Sequence, residues 1–166
     1  FLVGLINVEN AIAVSYPPKV NNEVDEVYLS SLSPDGFFGW KRAYFWAQNI
    51  SASFQNKETI TPEDNRKLTY ATDIVSGLEF HYSVLFYRYH HLGNFPQPEL
   101  ITENKKSDWH DFNYSEQKAF FQMTQEIPYS EILELKKELK RLSERVSEEV
   151  KTETAIDRAP GHFIVR

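Results

Sequence analysis

Between residues 132 and 146 the apolar side chains Ile132, Leu135, Leu139, Leu142 and Val146 recur in strict three-four alternation. That spacing lines one face of an α-helix, with Pro128 and Ser130 at its start. Lys136, Lys137, Lys140, Arg141 and Arg145 are interleaved with Glu131, Glu134, Glu138 and Glu144 around the ridge, so the local charge largely cancels. Glu134 with Lys137, and Glu138 with Arg141, stand at a spacing that supports a helix. An apolar ridge of this kind is too costly to leave in water, so the protein's own body, a second copy or a partner must cover it. Two heptads are visible before Glu149 takes the next apolar position, fewer than the roughly three or four that sustain a coiled coil.

The rest of the chain reads as a body for that helix to meet. With 166 residues, 41% of them apolar, and 12 Phe, 9 Tyr and 3 Trp, there is enough ring surface for an aromatic core. The division expected is a helix-rich body over 1–127, an amphipathic, coiled-coil-like helix over 128–152 and a tail over 153–166. Thr61, Pro62 and Asp64 form a capping signal for a long helix running to about His91. Ala71, Ile74, Val75, Leu78, Tyr82, Leu85 and Tyr89 make its main stripe, and Phe80, Val84 and Tyr87 carry apolar surface to the other side, which predicts a central position. A helix over 37–54 carries Ala43, Trp46, Ala47, Ile50 and Phe54 on one face, after a turn at Ser33-Pro34-Asp35-Gly36. Asn22 to Leu32 is read as a short helix, Leu92 to Asp111 as a loop, and Asn113 with Glu116 as the cap of a helix ending near Gln125.

Strand is expected at the two ends. Ile6, Val8, Ile12, Val14 and Tyr16 fall on alternate positions, which predicts a hairpin turning at Glu9-Asn10 and stopped by Pro17-Pro18. His162 to Arg166 is expected to be extended and to pair with it. The fold class is therefore mainly α, about five helices, with a small β element from the N-terminal hairpin and the C-terminal strand.

Several chemistries are excluded or disfavoured. The absence of cysteine removes disulfides, thiolate zinc sites and thiol nucleophiles. Twenty-four acidic against 18 basic residues, net −6, disfavour nucleic acid as a partner. No run approaches the 18 or so apolar residues of a membrane-spanning helix, because Leu78 to Tyr89 contains Glu79, His81 and Arg88. Histidines 81, 90, 91, 110 and 162 form no His-x-x-x-His or Glu-x-x-His pair, and the glycines make no phosphate-binding loop, so neither metal nor cofactor is implied. Asp108-Trp109-His110-Asp111 has the chain order wrong for a metal phosphohydrolase, and no arginine has a histidine at helical-ribonuclease spacing. Lys136 and Glu138 are at helical rather than strand spacing, which speaks against a nuclease core.

Two surfaces remain. One is the ridge Ile132, Leu135, Leu139, Leu142 and Val146, which points to a non-enzymatic interaction or assembly subunit meeting a protein partner or another copy. The other is an aromatic pocket in which Trp46, His81 and Tyr82 hold a small apolar ligand, as in a helical sensor or regulator. The rings Trp40, Tyr44 and Trp46 beside Lys41 and Arg42 make a further aromatic-basic patch. A hydrolase without a local motif is the third function class.

Overall fold

Thr61 opens one of the two longest elements. Its hydroxyl accepts from the Asp64 amide at 3.2 Å, and the Asp64 carboxylate accepts from the Thr61 amide at 2.9 Å. This reciprocal cap, with Pro62 in the first turn, fixes where the helix begins. Lys57 and then Thr61 hold the Asp64 carboxyl down to about 2, so the cap stays charged.

The computed structural model describes residues 8–21, 23–57, 60–90 and 114–156, without the side chains of 10 and 146–156. In chain order these form α1 (Val8–Ser15), β1 (Lys19–Val20), β2 (Glu23–Val24), α2 (Glu26–Ser30), a 3-10 turn (Pro34–Gly36), α3 (Phe37–Phe54), α4 (Pro62–Tyr89), α5 (Tyr114–Glu126) and α6 (Tyr129–Ile156). The fold is mainly α, with one small antiparallel sheet in which Lys19 pairs with Val24 and Val20 with Glu23. No described helix is long and apolar enough to cross a membrane.

The hairpin lies later than the alternation suggested. Residues 8–15 are helical, and the turn falls at Asn21, whose φ of 52° is left-handed. The physical reason is visible in the packing. Ala13, not its β-branched neighbours, faces inward at 2% exposure, while Val8, Val14 and Tyr16 stand in solvent. Alanine is the strongest helix former, and its small side chain suits a close approach to α3. On α1, Glu9 accepts from the Ser33 amide at 2.8 Å and hydroxyl at 2.7 Å, tying the helix to the turn. Phe1 to Asn7, the 92–111 loop, the Asn113 cap and the His162 to Arg166 strand lie outside the described residues.

Two helices supply the centre of the core. In α4 Ala71, Ile74, Val75, Leu78, Tyr82, Leu85 and Tyr89 are buried, as its stripe predicts, and Leu68 joins them a turn earlier, although Phe80 and Val84 are exposed. Against it lies α6, antiparallel, with the Tyr129 ring stacked on Tyr82 at 4.5 Å and Lys136 paired with Glu79. Parallel to α6 runs α3, whose Tyr44 reaches Glu131 and whose Gln55 reaches Glu138. Ile132, Leu135, Leu139 and Leu142 lie in one core cluster with Trp40, Tyr44, Leu78 and Phe120. The chain itself thus covers the ridge; the side chain of Val146 lies outside the described residues. A second, smaller cluster joins Ala13, Leu29 and Leu32, with Val24 packed on it.

Candidate functional site between α3 and α6

Polar side chains on α3 recur at Tyr44, Gln48, Ser51 and Gln55, spacings of three and four that form a stripe beside the apolar one. Glu131, Glu134 and Glu138 repeat the pattern on α6, beside the buried Leu135. Because the two helices are parallel, the stripes face each other. They enclose an open groove of about 470 Å³ lined by these seven residues with Ala52 and Leu135. That volume is in the range of small-molecule sites, roughly 300–1,000 Å³.

The carboxylates differ in what already engages them. Tyr44 donates its hydroxyl to Glu131 at 3.0 Å. Burial first, then that hydrogen bond and the charges of Glu131 and Glu134, push the Tyr44 phenol well above its ordinary range, so it remains a neutral donor. Glu138 accepts from the Gln55 amide and has Arg141 at 3.9 Å, the limit of an ion pair. Glu134 has neither a hydrogen bond nor an ion pair among the described residues; the expected Glu134–Lys137 pair does not form. An exposed pair of this kind gains only about 0.3–0.5 kcal/mol, which side-chain entropy offsets.

Ser51 is the groove's anomaly. It is 1% exposed, and its Oγ has no hydrogen-bond partner. Other helical hydroxyls bond back to their own helix: Ser53 to Ile50, Thr72 to Leu68, Ser83 to Glu79 and Thr124 to Phe121. A buried, unbonded hydroxyl normally costs about 1–3 kcal/mol.

The residues marked by the sequence sit elsewhere. Tyr82 is enclosed by Phe86, Phe120 and Tyr129, and burial beside Tyr129 pushes its phenol up to about 12. His81 stacks on Trp40 at 4.3 Å, with Nε2 3.0 Å from the Ser30 carbonyl. Trp46 is partly buried at the edge of the core. None of these three lines the groove. The aromatic-basic patch is taken apart by folding. Trp40 and Tyr44 enter the core, Lys41 pairs with Glu126, and Arg42 pairs with Glu26 at 3.1 Å. No group of three or more His, Asp or Glu among the described residues is arranged to hold a metal ion.

The groove was missed because its acids also suit an ordinary charged helix surface. The one signal available was the polar stripe from Tyr44 to Gln55 inside an otherwise aromatic helix. Comparison with protein-family models, with curated proteins and with solved structures finds no match to this chain.

Proposed function

We propose that this chain is a non-enzymatic interaction subunit that uses the acidic face of α6 to recognise a lysine-bearing segment of a protein partner. The observation that supports this reading is the division of labour on one helix. Its apolar ridge is covered by α3 and α4, while Glu131, Glu134 and Glu138 border an open groove. Contact with a partner therefore needs no opening of the core. A net charge of −6 favours encounter with basic segments and speeds it at low salt.

Fluorescence anisotropy with a labelled lysine-rich peptide tests the reading. Saturable binding is expected at low ionic strength, weakening as salt is raised. Acetylating the lysines is expected to abolish it, and the double variant Glu134→Gln, Glu138→Gln to weaken it about tenfold, near 1.4 kcal/mol. A peptide that fails to bind at low salt, or that binds the double variant equally well, rules the proposal out.

A further inference from the structure

The groove holds more than an acidic row. Of its polar groups, three are uncommitted: the Glu134 carboxylate, the Gln48 side chain and the buried Ser51 Oγ. Beside them the apolar walls Ala52 and Leu135 offer methylene-sized contact. A primary ammonium carries three donors and no acceptor, on a carbon stem that prefers apolar surface. We infer that the groove contains a subsite for a primary alkylammonium group, with Glu134 as counter-ion and Ser51 Oγ and Gln48 as its further acceptors. This inference rests on the groove being the recognition surface, and it adds the chemical class the surface selects.

The alternatives fit less well. A guanidinium could meet Glu134 side-on, but its planar fork is best held by a second free carboxylate, and Glu131 and Glu138 already accept from Tyr44 and Gln55. A bare metal ion needs converging ligands, and the described residues offer no such group. Ser51 makes the argument specific. A serine inside a helix can bond back to a carbonyl three or four residues earlier, as Ser53 does to Ile50, and Ser51 makes no such bond. Ser51 lines the acidic groove, and its buried oxygen is an acceptor that no protein group uses.

n-Butylammonium is the probe, titrated into the full chain and followed by two-dimensional amide NMR, with 1-butanol and butylguanidinium as comparisons. Saturable shifts centred on Gln48, Ser51 and Glu134 are expected for the ammonium alone. Ser51→Ala, which is nearly isosteric, is expected to weaken butylammonium at least fivefold while raising the thermal midpoint, and Glu134→Gln to weaken it tenfold. Equal binding of butanol or butylguanidinium, or unchanged ammonium affinity in Ser51→Ala, overturns the inference. The two readings fail separately. Butylammonium binding without peptide binding removes the partner proposal alone. Peptide binding that Ser51→Ala leaves untouched removes the ammonium subsite alone.

Discussion

An imidazole wedged between an indole and a backbone carbonyl has little freedom to gain a charge. The Ser30 carbonyl accepts, so His81 Nε2 carries the proton and Nδ1 is the site left to titrate. Burial lowers the His81 pKa, and the Ser30 hydrogen bond only partly opposes it. The sign follows. Below the ordinary histidine value of about 6.5 the unfolded chain takes up a proton that the folded chain refuses. His81 therefore leaves stability flat above that pH and erodes it as acid is added. Titration of its ring by NMR is expected to give a midpoint below the ordinary value, and His81→Phe is expected to remove part of the loss in urea midpoint between about pH 7 and pH 5. A ring that titrates at or above the ordinary value contradicts the account. At this scale the sequence was readable where the physics is local: Thr61 and Asp64 meet within one turn, and their cap was evident from four letters. Ser51 and Glu134 were not readable, because their meaning comes from facing each other across two helices far apart in the chain.

Between elements, small residues set how closely backbones approach. A Cβ at Gly39 would lie 2.8 Å from the Leu29 carbonyl oxygen and 2.8 Å from Leu32 Cδ1, so α2 rests directly on α3 there. At Gly77, in the middle of α4, a Cβ would meet nothing within 4 Å. Gly39→Ala is expected to destabilise by about 1–3 kcal/mol through overpacking against rigid backbone. Gly77→Ala is expected to stabilise by up to about 1 kcal/mol through helix propensity. Urea denaturation of both variants checks the pair, and equal effects would show that the α2–α3 contact is not tight. The same logic explains the misplaced hairpin. Alternation at Val8, Ile12, Val14 and Tyr16 was real, but the partner surface around Gly36 and Gly39 accepted Ala13 and Glu9 instead. Periodicity reports which face could be buried; it does not report what the neighbouring helix has room for.

For the molecule as a whole, the deciding fact is that Leu139 and Leu142 are fully buried by their own chain. The ridge was legible from its spacing alone, whereas the identity of its cover was not, since self and foreign surfaces exert the same hydrophobic pull. Leu139→Ala is accordingly expected to cost about 2–5 kcal/mol and to lower the urea midpoint of a single transition. Light scattering and denaturation on the same sample check this. A variant that keeps its midpoint and changes only in mass would move Leu139 from the interior to an interface. Glu134→Gln, in contrast, alters an exposed side chain and is expected to leave the midpoint nearly unchanged.

The position of α1 has a practical corollary. It meets the body through Ala13 and the Glu9 carboxylate, near Gly36 and Gly39, and Ser51 lies twelve residues further along the same axis, roughly 18 Å away. Val8 and Val14 point outward on that helix, and Tyr16 does so just past its end. A fluorophore or an anchoring chemistry installed at those positions would sit clear of the groove, leaving its mouth open to whatever is offered.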